Sequence, residues 1–311
     1  MKSFINLIIS TLLATINGLI SVSLYFVNTI FWFIPIMIGS LLKLLPIKLW
    51  QKWLTILIDN CASCWISVNG FNQAVFSRTQ FEVKQNHNFK KDAWYLVIAN
   101  HQSWVDILVL QRVFNRRIPF LKFFLKKNLI YVPFLGLAWW GLDFPFMQRY
   151  SKEQLAKNPE LKGKDLETTK KACEKYEFKP VSIMNFVEGT RFKPTKLNKT
   201  AQSLALSHTL APKTGGVAFV LNAMGEQLTK LVNVTIYYPK GIPSYWDFVS
   251  GRVKKIVIDI ETIDISTLFS EGIYSHEYFN NQVDKDRFQH YMNQLWQQKN
   301  QRLVQFDKEY K

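Results

Sequence analysis

The sequence predicts an α/β protein, a mixed and largely parallel sheet covered by helices, preceded by a membrane-embedded helical hairpin. Three observations carry this. Short apolar runs alternate with helical stretches after about residue 70, as in sheets buried on both faces. From Ser3 to Leu42 there is neither a charged residue nor a histidine. Hydrophobic residues make up 48% of the 311, enough for a substantial core.

The opening segment is twice the roughly twenty apolar residues that one membrane helix needs. It suits two helices in a hairpin over residues 1–45, or one long kinked helix. Asn17-Gly18 and Ser21-Val22-Ser23 are the candidate turns, and Pro35 a kink or cap. Lys2 precedes the run while Lys43, Lys48 and Lys52 follow it, which favours both ends on the cytoplasmic face. Asn6, Asn17 and Asn28 recur every eleven residues; they share one helical face, or the spacing is coincidental. The run is too long for a cleaved signal peptide.

Residues 46–70 read as an amphipathic linker helix, with Trp50 and Trp53 beside Lys48 and Lys52. Such a helix lies in the headgroup layer or packs on the domain surface. The α/β domain follows over 71–265. Its expected strands are Trp94–Ala99, Ile118–Lys122, Phe144–Met147, Val181–Phe186, Leu231–Tyr238 and Lys255–Glu261, and its expected helices Trp104–Phe114, Lys164–Tyr176 and Gly216–Ala223. Tyr150 to Lys164 reads as an exposed, charged connection. A polar helical tail closes the chain over 266–311, with Phe288, Tyr291, Leu295 and Leu303 on a loose stripe.

Lys and Arg number 39 against 23 Asp and Glu, a formal net charge of +16. That favours phospholipid headgroups, phosphate-bearing substrates or nucleic acid. Between Gln111 and Lys127 lie Arg112, Arg116, Arg117, Lys122, Lys126 and Lys127, interleaved with phenylalanines and with no acid. No nucleic-acid motif accompanies them, so an anion-attracting, membrane-facing edge is the better reading and nucleic acid is set aside. Cys61, Cys64 and Cys173 have no matching second pair and read as core thiols in a reducing compartment.

Chemistry concentrates at two places. In Asn100-His101-Gln102-Ser103-Trp104-Val105-Asp106, the histidine ends an apolar run. Residues five apart do not share a helical face. His101 and Asp106 therefore meet only if His101 lies in a loop and Asp106 in the first turn of the next helix. Ser103 and Asp106 have capping-box spacing, so the carboxylate either caps the helix, orients the imidazole, or does both. A neutral imidazole so oriented can take a proton from an alcohol as it attacks a carbonyl. The neighbourhood supplies no further ligands for a metal. The second place is Glu188-Gly189-Thr190-Arg191, at a strand end where ligand groups gather in α/β sheets. Arg191 can fork onto phosphate, Thr190 can donate to an oxyanion, amides near Gly189 are oxyanion candidates, and Glu188 can bond a hydroxyl or orient Arg191. A plain surface turn with an internal Glu–Arg pair is the alternative.

These blocks, with Lys126-Lys127-Asn128-Leu129, Val132-Pro133, Gly136, Gly141, Phe146-Met147-Gln148-Arg149 and Val234 to Pro239, resemble the 1-acyl-sn-glycerol-3-phosphate (lysophosphatidic acid) acyltransferases among glycerophospholipid acyltransferases. The resemblance runs from about Trp94 to Pro239. It implies His101 as general base with Asp106 as its partner. It implies acceptor binding by Glu188, Gly189, Thr190 and Arg191, and phosphate contact by Lys126 and Arg149. It departs from the family at Asn128, where Glu is common, and at Val187, where Pro is common. The expected reaction is acyl transfer from acyl-CoA or acyl carrier protein, as co-substrates with no cofactor, to the sn-2 hydroxyl of lysophosphatidic acid. Remodelling of another lysolipid such as lysophosphatidylglycerol shares every motif; a lipid hydrolase and a non-enzymatic lipid-binding scaffold are rivals of other classes. No Gly-x-Ser-x-Gly elbow is present, so no acyl-enzyme is expected. Trp139, Trp140, Phe144 and Phe146 line an acyl pocket or fill the core. With no ER-retrieval tail or further spans, a bacterial inner membrane is the expected setting, with the catalytic domain on its cytoplasmic face.

Overall fold

The computed structural model describes residues 2–85, 87–147, 167, 173, 176 and 179–310. Two long helices, α1 (Lys2–Leu42) and α2 (Lys48–Asn72), lead the chain. The α/β part then runs β1 (Gln80–Lys84), β2 (Trp94–Ala99), α3 (Val105–Phe114), β3 (Leu121–Phe123), β4 (Leu125–Lys126), α4 (Leu135–Gly141), β5 (Phe146–Met147) and β6 (Ser182–Phe186). It continues with α5 (Lys199–Ser203), α6 (Gly215–Met224), β7 (Leu228–Tyr237), α7 (Tyr245–Val249), β8 (Lys255–Asp264), α8 (Ile265–Ser270) and α9 (Gln282–Tyr310).

The six-stranded sheet has the order β1-β8-β7-β2-β6-β3. Every neighbouring pair is parallel except β7–β8. Alternation along β2 divides the core. Tyr95, Val97 and Ala99 face one apolar cluster with Val105, Val109 and Leu110 of α3 and Phe248 of α7. Leu96 and Ile98 face the other, with Val217 and Leu221 of α6 and Phe288, Met292 and Trp296 of α9. The C-terminal helix is thus built into the domain rather than appended to it. Its polar sequence hides one face that covers the sheet, and on that face Lys299 is fully buried. Its Nζ donates to Val234 O at 2.6 Å and Thr235 Oγ1 at 3.0 Å. Burial pushes the Lys299 ammonium down to about 7.

The hairpin expected within residues 1–45 does not form there. Residues 2–42 are one continuous helix of 41 residues, with Pro35 inside it. An all-round apolar segment offers no polar turn to stop it, and both candidate turns are helical. Gly18 instead lets α1 approach α7: a Cβ there would meet the Trp246 ring at 2.8 Å. The hairpin is one helix later. α1 turns back into α2 through the 43–47 link, and Asn28 Nδ2 bonds Trp65 O (3.0 Å) and Asn69 Oδ1 (2.8 Å). Asn17 reaches Phe76 O at 2.6 Å and Ser250 O at 3.3 Å, whereas Asn6 is exposed. Two members of the eleven-residue series therefore tie helices together.

Other boundaries moved. The strand expected at Ile118–Lys122 is β3, three residues at 121–123; that at Phe144–Met147 shrinks to β5, which pairs with β4 in a separate two-stranded sheet. β1 went unread: Gln80–Lys84 is a polar-flanked edge strand paired to β8 alone. The helix expected over Lys164–Tyr176 and the connection Tyr150–Lys164 lie outside the described residues, apart from Glu167 and Cys173, which are helical, and Tyr176, which is in a turn. The basic stretch 111–127 is not a continuous charged edge. Lys122 is buried, donating to Leu142 O at 2.6 Å, and the guanidiniums of Arg112 and Arg117 lie over Phe81 (4.2 Å) and Phe89 (5.6 Å). Trp139 and Phe144, with α1 and α2 residues, line a narrow apolar pocket of about 40 Å³, whereas Trp140 faces outward.

Candidate active site

β2, β6 and β7 are parallel neighbours, so their carboxyl ends converge on one edge. The two motifs and the residues after Tyr237 emerge there. At the end of β2, Asn100 imitates a strand residue with its side chain: Nδ2 donates to Ile236 O (2.9 Å) and Oδ1 accepts from Ile236 N (2.8 Å). The backbone is then free to leave the sheet, and His101 becomes the first residue of the loop.

Each part of His101 is held. Its N–H donates to Glu188 Oε1 at 3.2 Å, and its carbonyl accepts from Phe192 N at 2.6 Å. The imidazole stacks on the Phe186 ring, centroids 3.9 Å apart and planes 15° from parallel. Nδ1 lies 2.8 Å from Asp106 Oδ2. The same oxygen accepts from Gln102 N (2.6 Å) and Ser103 N (2.8 Å), and Oδ1 accepts from the Tyr238 hydroxyl at 2.5 Å. Asp106 is fully buried, so four donors are what keep a carboxylate tolerable there. A carboxylate only accepts, so the proton of the pair sits on Nδ1 and leaves the Nε2 lone pair as base. Nε2 has no hydrogen-bond partner among the described residues.

The orienting geometry of Asp106 is present, and the capping one only in part: the helix begins after Trp104 with no side-chain cap. The carboxylate reaches back to Ser103 N, half of a capping box. The other half is not made: Asp106 N bonds Ser103 O at 3.3 Å, while Ser103 Oγ accepts from Val105 N (3.2 Å) and donates to Pro243 O (2.6 Å). Tyr238 was not picked out from the sequence. Burial and the Asp106 charge push its phenol far above the ordinary value, so it remains a donor.

The second motif differs from expectation in two respects. Glu188 does not pair with Arg191. It is buried, with Oε2 accepting from Leu210 N at 3.0 Å and Oε1 from His101 N, and it braces the histidine loop against the 205–211 loop. Burial pushes its carboxyl up to about 8, against the opposing pull of those two backbone donors. The Gly189 amide is not open for an oxyanion, because it donates to Phe186 O at 2.9 Å. Gly189 is nonetheless suited to its place, at φ 71°, where a side chain would be strained. Thr190 Oγ1 accepts from Lys196 Nζ at 2.7 Å, and the Arg191 guanidinium lies 4.5 Å from the centre of the half-exposed Trp104 ring. His101, Asp106, Glu188 and Gly189–Arg191 therefore form one assembly. Lys126 is exposed on β4, opposite Met147 in the small sheet, and Arg149 lies outside the described residues. Among the described residues no group of three His, Cys, Asp or Glu is placed to hold a metal.

An imidazole with a free ring nitrogen, held by a buried carboxylate at the carboxyl ends of parallel strands, is an arrangement that can accept a proton from a hydroxyl. The chain belongs to the Acyltransferase family, whose model matches residues 80–238, just over half of its length. It is 25% identical over 238 residues to an uncharacterized acyltransferase of Saccharomyces cerevisiae, covering 68% of this chain and 58% of that one. A 1-acyl-sn-glycerol-3-phosphate acyltransferase from the same yeast is 33% identical over 130 residues (41% and 38% covered), and Arabidopsis thaliana 1-acyl-sn-glycerol-3-phosphate acyltransferase 2 is 28% identical over 159 (48% and 38%). The chain thus spans between 38% and 58% of the length of these relatives. The crystal structure of the 1-acyl-sn-glycerophosphate acyltransferase PlsC of Thermotoga maritima shares the fold, with a TM-score of 0.52 at 17% identity, covering 89% of this chain and 96% of that one.

Proposed function

We propose that the protein transfers a fatty acyl group from acyl-CoA or acyl carrier protein to the sn-2 hydroxyl of lysophosphatidic acid, giving phosphatidic acid. The observation that carries this reading is the His101 Nδ1–Asp106 contact, which leaves Nε2 as an oriented base. Nε2 takes the hydroxyl proton as the oxygen attacks the thioester carbonyl. Asp106 stabilises the imidazolium that forms. The tetrahedral intermediate collapses to the ester, and the departing thiolate takes the proton back. Arg191, steadied by Trp104, binds the acceptor phosphate, with Lys126 and Arg149 as further phosphate contacts. α1 anchors the enzyme in a phospholipid bilayer, with the catalytic part on the cytoplasmic face; among the described residues one helix, Phe4–Leu42, is long and apolar enough to cross a membrane. Donor and acceptor are co-substrates, and no cofactor or nucleic acid takes part.

The test uses membranes carrying the full chain, labelled acyl-CoA and a panel of lysolipids. His101→Ala should lower transfer by about 10²–10⁴-fold while the protein stays in the membrane fraction. Turnover retained in that variant would overturn the base assignment. Preference for lysophosphatidylglycerol would replace the acceptor, and free fatty acid released without acceptor would replace transfer by hydrolysis.

A further inference from the structure

We propose that residues 131–141 form a second bilayer-inserted element, in which α4 lies against α1 and the segment turns Tyr131 and Phe134, before α4, and Leu137 and Trp140, on it, into the hydrocarbon layer. This rests on the reading of α1 as a bilayer helix.

The sidedness of α4 is the first observation. From Asn128 to Leu142 there is no charged residue. The small residues Gly136, Ala138 and Gly141 face inward, and a Cβ on Gly136 or Gly141 would collide with the Ile130 carbonyl or with the Ser40 hydroxyl of α1. The large apolar residues face outward: Tyr131 is 81% exposed, Leu137 47%, Phe134 42% and Trp140 40%. A water-facing helix shows the opposite distribution. Small residues at the helix contact and bulky ones outside are the pattern of helices packed in lipid.

The second observation is continuity with α1. Phe134 sits at φ 59° and ψ −54°, a conformation costing a bulky residue about 1–3 kcal/mol. In that conformation the Phe134 ring stands edge-on against Phe33 of α1, with centroids 5.3 Å apart. At the far end of α4, Lys43 donates to Gly141 O at 3.0 Å and pairs with Asp143 at 2.6 Å. α4 is thereby fixed against α1 through Phe33, Ser40 and Lys43, beside a stretch of α1 whose other side exposes Phe31, Ile34 and Ile38.

The test places the full-length wild-type chain in phosphatidylcholine–phosphatidylglycerol vesicles that carry a trace of phospholipid with a diazirine at mid-chain. After photolysis, labelled peptides are mapped by mass spectrometry. The expected result is label on both 4–42 and 131–140 and none around Val283, an exposed apolar residue of α9. Leu137→Glu should abolish label on 131–140 and spare α1. Label on α1 with none on 131–140 in the wild type overturns the proposal and leaves the α1 reading standing. Absence of label from α1 removes that reading, and the proposal with it.

Discussion

Around His101 almost every polar atom is tied to a named partner, whereas residues 4–13 of α1 are exposed at every position. The two regions are close in the sequence sense of being short and well defined, yet opposite forces define them. The histidine loop is specified by directional contacts: two backbone anchors, a stacked ring and a carboxylate with four donors. The arm of α1 is specified only by helix propensity and by a solvent that must tolerate bare Leu, Ile and Phe. Changing one partner should therefore matter greatly in the first region and little in the second.

The largest effect is expected at the centre of the tied region. Asp106→Asn presents an amide to donors that need an acceptor and loses the charge that stabilises the imidazolium; turnover should fall by about 10³–10⁴-fold in steady-state assays. Near-normal turnover would mean that the loop does not depend on its contacts. Tyr238→Phe removes one of the four donors. Leaving one buried carboxylate oxygen unpaired costs about 1–3 kcal/mol, so a tenfold or greater fall in rate or a lowered melting point is expected. Lys299→Met tests the buried polar floor beneath the sheet. An unfolded lysine holds its proton to 10.5 whereas Lys299 releases it near 7. In that interval folding expels a proton, so native stability rises with pH and the penalty is full below 7. The variant should flatten that rise and raise the melting temperature at pH 6, read by calorimetry across pH. The smallest effect is expected in the bare region. Deleting residues 2–16 should leave the melting temperature within about 2 °C while weakening retention by vesicles. A larger thermal loss would show that the arm packs on the domain.

The difference between these regions also governs what could be read without coordinates. β2 announces itself as an unbroken apolar run and β6 and β7 as mostly apolar ones, and His101 and Asp106 announce their meeting through the one geometry that brings positions five apart together. The segment before residue 43 has apolar residues on all sides, so it carries no phase to say where a helix ends. β1 is polar at both ends and borders only β8. Glu188 reads as a ligand because its burial, and the approach of Leu210 and His101 to it, depend on contacts across the fold. Tyr238 reads as the last residue of a strand, since nothing local shows that it faces a carboxylate 132 positions away. Lys299 hides in a helix whose composition is that of a solvated tail.

The Phe192–His101 backbone bond joins the two motifs directly, and Glu188 joins them a second time. A displacement of the arginine-bearing turn is thus transmitted to the histidine loop through one backbone bond and one bond to the buried Glu188 side chain, without passing through solvent. Under the proposed roles, a phosphate seated on Arg191 would also adjust where the proton acceptor stands, so that recognition of one end of a molecule and reaction at the other would share a single mechanical part.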